Sequence, residues 1–254
     1  LGFESNVIVG TALVNMYGKC EQLIDARKAF RKLNERNVVA WTAIIEVHAT
    51  HGQEYRALDF YKDMIVDAVT SNVVTIVSII GACIKLRDVE RGNEIHTSIK
   101  FHGLEKDVLV GIALVQMYGK FGEVENARKA FDEIHEQNIV SWTAMCTIYL
   151  EHGYPMEAVH LYQQICCKGV KPDNYVFISI LGACSCLAFL KQGEEVHSRI
   201  LDSGLESDVA VGTALIDMYG KCGDLEKACD VLQKINDRNV LSWTALISVC
   251  FHAG

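Results

Sequence analysis

Ten cysteines, nine histidines and 32 acidic side chains are enough material for a metal centre or an acid–base site, so their spacing decides the matter. A structural zinc site wants cysteines in Cys-x-x-Cys pairs. None occurs, and the near pairs Cys166-Cys167 and Cys184-x-Cys186 have no complementary ligand set. Several cysteine positions carry apolar residues elsewhere in the chain: Cys20 and Cys222 correspond to Phe121, and Cys146 corresponds to Ile45 and Ile247. These thiols read as core residues of a reducing compartment, with no metal site. Glu94-Ile95-His96 and Glu195-Val196-His197 recur 101 residues apart. Residues two apart on a helix diverge, so each pair is poorly placed for proton transfer and reads as side chains that pack between helices or face solvent. The chain lacks the His-x-Glu and Pro-Cys-x-x-Cys elements of zinc deaminases, the phosphate loop Gly-x4-Gly-Lys-Ser/Thr and the Gly-x-Ser-x-Gly elbow. No enzyme and no cofactor is expected.

Composition describes the scaffold that must hold any binding residues. Half of the 254 residues are hydrophobic, which supplies a large core, and only 2 are proline. No Ser/Gly/Pro-rich stretch marks a linker, so the expected organisation is one continuous body over residues 1–254. No run of 18 uncharged apolar residues suggests a membrane span, and no membrane partner is expected. The chain opens at Leu1 without a basic leader, so any targeting segment is expected outside it. A net charge of −8 runs against the basic surface usual for nucleic-acid binders and favours instead a scaffold that binds a protein or peptide. Net charge sums all faces, however, so the placement of the lysines matters more.

A repeat organises the whole chain. The string Val-Ile-Val-Gly-Thr-Ala-Leu-Val-Asn-Met-Tyr-Gly-Lys-Cys at 7–20 returns at 108–121 and 209–222. Trp41, Trp142 and Trp243, each followed by Thr-Ala, keep the same spacing of 101 residues. Each period divides into a unit of 31 residues and two of 35: 7–37, 38–72 and 73–107, then 108–138, 139–173 and 174–208, then 209–239 and a truncated 240–254. Residues 1–6 match the end of a preceding unit. Within 7–37, Val9, Leu13, Met16 and Tyr17 recur at helical spacing, as do Leu23, Ala26, Ala29 and Phe30 beyond a turn. Gly122 and Gly223 read as C-cap glycines at that turn, where Glu21 stands in the first unit, and Pro155 suits the first position of a second helix. Each unit is thus expected to be a helical hairpin. A hairpin of this size cannot bury its apolar face alone, so neighbours must stack into a superhelix with a concave inner surface.

The alternation of 31 and 35 residues, the string Val-Gly-Thr-Ala-Leu-Ile-Asp-Met-Tyr-Gly-Lys-Cys-Gly at 211–223, Ser-Trp-Thr-Ala at 242–245 and Gly-Val-Lys-Pro-Asp at 169–173 resemble plant pentatricopeptide repeats of the PLS subclass. Tetratricopeptide repeats would show a uniform 34-residue period. The resemblance implies an all-α fold, a right-handed α-solenoid superhelix of stacked helix-turn-helix repeats. It also implies sequence-specific binding of single-stranded RNA, one base per repeat, as the specificity array of a factor for cytidine-to-uridine editing or other RNA processing in the mitochondrion or chloroplast. Other editing-factor proteins are implied partners, and the chemistry would belong to a separate domain.

In that family the fifth and last residues of a unit meet one base edge, and the second residue sandwiches the base. The implied base readers are Thr11 with Asn37, Thr42 with Asn72, Val77 with Asp107, Ile112 with Asn138, Thr143 with Asp173, Ile178 with Asp208, Thr213 with Asn239, and Thr244 without a partner. The implied sandwiching residues are Ile8, Val39, Val74, Leu109, Val140, Tyr175, Ala210 and Leu241. Asn offers both a donor and an acceptor to adenine, whereas an ionised Asp only accepts, as guanine requires. Val77, Ile112 and Ile178 cannot hydrogen-bond a base, so the implied core is A-A-N-N-G-N-A. Thr, Asn and Asp also favour turns and caps on their own account. Lys19, Lys85, Lys120 and Lys221, each thirteenth in its unit, hold the place where the family directs lysine toward RNA phosphates.

Overall fold

The computed structural model describes residues 5–236 and 238–253, with side chains through 251. Among the described residues there are fifteen α-helices and no strand. Contacts cluster into two compact units, one through Glu136 and one from Gln137. The first unit holds four hairpins. They are α1 (Val7–Lys19) with α2 (Leu23–Arg31), α3 (Val38–Thr50) with α4 (Glu54–Val66), α5 (Val73–Leu86) with α6 (Val89–Phe101), and α7 (Val108–Phe121) with α8 (Val124–Glu133). The second holds α9 (Ile139–Glu151) with α10 (Pro155–Cys167), α11 (Asn174–Leu187) with α12 (Leu190–Asp202), α13 (Val209–Lys221) with α14 (Leu225–Lys234), and α15 (Val240–Ala253). The first residue of every repeat cut from the sequence is the first residue of an odd-numbered helix.

Within each unit the odd helices pack on one another as well as on their own hairpin partners. That two-sided packing explains their composition, apolar nearly all round, while even helices such as α8 and α14 carry a single apolar stripe. Close packing of odd helices selects glycine at Gly18 and Gly220, where a Cβ would collide with Val47 and Val249. Trp41 is buried edge-on against Phe30 and Phe60, at centroid distances of 4.7 and 6.4 Å, and so ties α3 to α2 and α4. Trp142 is buried at the matching place in α9.

The turns explain local residue choices. Gly122 and Gly223 adopt left-handed φ of 79° and 85° between the helices of their hairpins. Glu21 is held at φ 58° in the corresponding turn, a conformation that costs an L-residue about 1–2 kcal/mol. Pro155 occupies the first turn of α10, where its missing N–H has no helical partner to lose. No described helix is long and apolar enough to cross a membrane.

Candidate nucleic-acid interface

The first turn of each odd helix repeats one construction. Its second residue is an exposed side chain: Ile8, Val39, Val74, Leu109, Val140, Tyr175 and Leu241 are 49–81% exposed, and Ala210 is exposed as well. A solitary exposed aliphatic residue needs no explanation. Eight at one helical position place an apolar surface beside the fifth residue, which lies three positions along on the same helix face.

The fifth residues are threonines in five helices, and four of these bind back to the helix. The hydroxyls of Thr42, Thr143, Thr213 and Thr244 donate to the carbonyls of Val38, Ile139, Val209 and Val240 at 2.7, 2.8, 2.7 and 2.6 Å. With its hydrogen directed at the i−4 carbonyl, such a hydroxyl offers its surroundings lone pairs and acts as an acceptor. Thr11 differs, because its Oγ1 is buried without a hydrogen-bond partner. Among the aliphatic fifth residues Val77 is exposed, Ile178 half-buried and Ile112 buried.

The last residue of each repeat is the N-cap of the next odd helix, in two geometries. Asn37, Asn72, Asn138 and Asp173 have ψ of 174–178°, and one side-chain oxygen of each accepts the N–H of the third helical residue at 2.9–3.0 Å. Asn239 caps Ser242 in the same way at 3.1 Å. Asp107 and Asp208, which precede the 31-residue repeats, have ψ of 132° and 128° and accept from both the second and third helical N–H groups. Each Asn cap engages the oxygen end of its amide. A backbone N–H can only donate, so the atom facing it is the amide oxygen, and the NH2 group is the end left for another partner. Asp173, capped through Oδ1, leaves a second carboxylate oxygen, an acceptor.

Two of the implied pairs meet directly. Thr42 Oγ1 lies 3.5 Å from Asn72 Oδ1, and Thr143 Oγ1 lies 3.4 Å from each oxygen of Asp173. Among the described residues Thr11 and Asn37, and Thr213 and Asn239, make no such bond, and the same holds for the aliphatic Val77 and Ile178 with their aspartates. Ile112 and Asn138 belong to different compact units.

Lys19, Lys85, Lys120 and Lys221 are exposed within the last turn of α1, α5, α7 and α13, where a cation complements the helix dipole. Lys85 and Lys221 make contacts within the chain. Lys85 donates to the Ala49 carbonyl at 2.9 Å and pairs with Glu54 at 3.3 Å, and Lys221 pairs with Asp217 at 2.9 Å. Their charge is partly answered within the chain.

The recurring histidines are links between helices. His96 Nδ1 meets Tyr118 Oη at 2.6 Å and His197 Nδ1 meets Tyr219 Oη at 2.8 Å, joining α6 to α7 and α12 to α13. Burial holds both imidazoles below the ordinary histidine range and pushes both phenols up to about 12. The thiols are not all core residues as the sequence suggested: Cys83, Cys146 and Cys184 are buried and pushed up to about 12 by desolvation, whereas Cys20, Cys167, Cys186, Cys229 and Cys250 are exposed. Sequence reading missed the His–Tyr links, for which the 101-residue recurrence of both partners was the available signal. It also missed Thr75, a buried hydroxyl against Thr42.

Comparison with known proteins accounts for the repeat. A sequence profile described as "PPR repeat" matches residues 11–38, 39–68, 113–139 and 213–240, and one described as "PPR repeat family" matches 137–186, together more than half of the chain. Pentatricopeptide repeat-containing protein At1g11290, chloroplastic, of Arabidopsis thaliana is 36% identical over 97% of this chain and 30% of its own length. At3g09040, mitochondrial, of the same organism is 35% identical over 98% of the chain and 24% of its own length. The chain therefore spans less than a third of either relative. The crystal structure of the pentatricopeptide repeat protein PPR10 in complex with an 18-nt psaJ RNA element superposes with a TM-score of 0.75, at 17% identity, over 94% of this chain and 37% of that one. The chain belongs to the pentatricopeptide repeat family.

Proposed function

We propose that this chain binds single-stranded RNA in a sequence-dependent way, one base per repeat, at the first turns of its odd helices. The observation that carries the reading is the proton arrangement beside each exposed apolar residue. Where the helix holds a threonine hydrogen on its i−4 carbonyl, the hydroxyl accepts; the N-cap leaves Asn a donor and Asp an acceptor. An acceptor with a donor complements the adenine edge, which carries an amino group beside a ring nitrogen acceptor. Two acceptors complement guanine, whose imino and amino groups both donate. Thr42–Asn72 is then an adenine reader and Thr143–Asp173 a guanine reader, and extension to the other threonine repeats gives the core A-A-N-N-G-N-A. The exposed second residues supply apolar surface for the base faces.

The 31- and 35-residue alternation supports membership of the PLS subclass, and with it a role as the specificity array of an RNA-editing or RNA-processing factor. The relatives named chloroplastic and mitochondrial support an organellar location. In this reading the array positions a transcript, other editing-factor proteins are further partners, and a separate domain performs the chemistry. The whole chain acts as one array across both compact units. The net charge of −8 favours a second reading, a scaffold for a protein or peptide.

A gel-shift panel separates the two. Single-stranded A-A-N-N-G-N-A should bind, and annealing its complement should abolish binding because a duplex hides the base edges. Equal affinity for duplex and single strand would exclude base reading, and no RNA binding at all would favour the scaffold.

A further inference from the structure

Thr42 and Thr143 hold the same place in successive periods, yet different residues lie against them. Thr75, fully buried on the first turn of α5, sets its Oγ1 2.6 Å from Thr42 Oγ1 and 2.9 Å from Asn72 Oδ1. Asn72 Oδ1 also accepts the Thr75 N–H at 2.9 Å and lies 3.5 Å from Thr42 Oγ1, so three side chains close a ring. The matching residue beside Thr143 and Asp173 is Val176, equally buried and without a hydroxyl.

Two hydroxyl hydrogens serve this ring. An oxygen–oxygen distance of 2.6 Å holds one of them. If Thr42 donates to Thr75, Thr75 donates to Asn72 Oδ1. If Thr75 donates to Thr42, Thr42 donates to the Val38 carbonyl. In both arrangements the Thr42 hydrogen stays inside the protein and a Thr42 lone pair is left to accept; the Thr75 hydroxyl holds the Asn72 amide oxygen in the first, and the Thr75 N–H alone holds it in the second. An aspartate needs no such holder, because its two oxygens are equivalent and both lie 3.4 Å from Thr143. An amide exchanges donor for acceptor by half a turn about its last bond, and at Asn72 the Thr75 hydroxyl can add to the backbone N–H that already opposes that turn.

We infer that Thr75 is a specificity-determining positioning residue: without touching a base, its hydroxyl reinforces Thr42 as acceptor and the cap that leaves Asn72 its donor. The inference rests on the base-reading function proposed for that pair.

The test uses the whole chain and RNAs that differ only at the second or the fifth base. Thr75→Val keeps the side-chain shape and the backbone cap to Asn72. It should lower the preference for A over G at the second base by about fivefold, the loss expected for one net hydrogen bond. Preference at the fifth base should not move, and Thr75→Ser should restore the second. A gain-of-function arm does not depend on how Thr75→Val folds. In an Asp173→Asn background, adding Val176→Thr should sharpen A over G at the fifth base by a similar factor. A wild-type chain that does not discriminate at the second base overturns the base-reading function and this inference together. Discrimination that survives Thr75→Val, or falls equally at both bases, overturns the role of Thr75 alone.

Discussion

On the base reading proposed above, Asp173→Asn changes what one repeat offers a base while leaving its structural duty in place. Asp173 caps α11 through the Val176 N–H at 2.9 Å, with ψ of 178°. Asn72 and Asn138 cap α5 and α9 in the same geometry, at ψ of 175° and 174°, so asparagine fits the site. As N-caps the two residues rank together, and the lost charge at a helix N-terminus costs about 0.3–1 kcal/mol of stability. The end not used in capping changes from an oxygen to an NH2 group. Guanine then meets a donor where it needs an acceptor, and adenine gains a partner. A well-placed hydrogen-bonding pair discriminates between bases by about 1–3 kcal/mol in groove readout of DNA, so relative affinity should swing from G toward A by roughly tenfold or more. Titrations of wild type and variant against A-A-N-N-G-N-A and A-A-N-N-A-N-A measure it. An unchanged ratio would show that position 173 does not read sequence. Equal loss on both RNAs with a lower Tm would make Asp173 a cap only.

Replacing Lys19, Lys85, Lys120 and Lys221 with Gln should weaken all RNAs alike and flatten the salt dependence by up to about 0.7 in log–log slope for each phosphate no longer neutralised; an unchanged slope removes these lysines from the RNA path. Lys85→Gln alone should contribute least, since Ala49 and Glu54 already engage that ammonium. Glu21→Gly should relieve the left-handed turn and stabilise the chain by about 1 kcal/mol in urea unfolding, and a drop in stability would refute the strain. Burial lowers the pKa of His48, His96 and His197, so the unfolded chain takes up protons that the folded one resists. Stability should therefore be full above the ordinary histidine pKa of about 6.5 and fall below it, as unfolding at pH 7.5 and 5.5 would reveal; greater stability at pH 5.5 would contradict it.

The repeat boundaries were legible because each begins one residue after an Asn or Asp that must cap the next odd helix, as with Asn37 before Val38 and Asp107 before Val108. Pro155 and Gly122 marked a helix start and a turn for reasons of backbone geometry alone. Which end of each cap is left for another partner was not legible, because it depends on which end of each Asn the helix N–H claims. Nor was the ion pair of Lys85 with Glu54, whose partners are 31 positions apart, since residue type says nothing of pairing across helices. Thr75 was hidden in an apolar run, where its hydroxyl matters only through Thr42 on the neighbouring helix.

Selection from a random pool of single-stranded RNA is the most direct measurement of base reading by this chain. The enriched sequences should show A, A, G and A at the first, second, fifth and seventh bases of a seven-base core, with little constraint at the third, fourth and sixth, where Val77, Ile112 and Ile178 offer no hydrogen bond. Enrichment without that spacing, or of structured duplexes as readily as single strands, would contradict it.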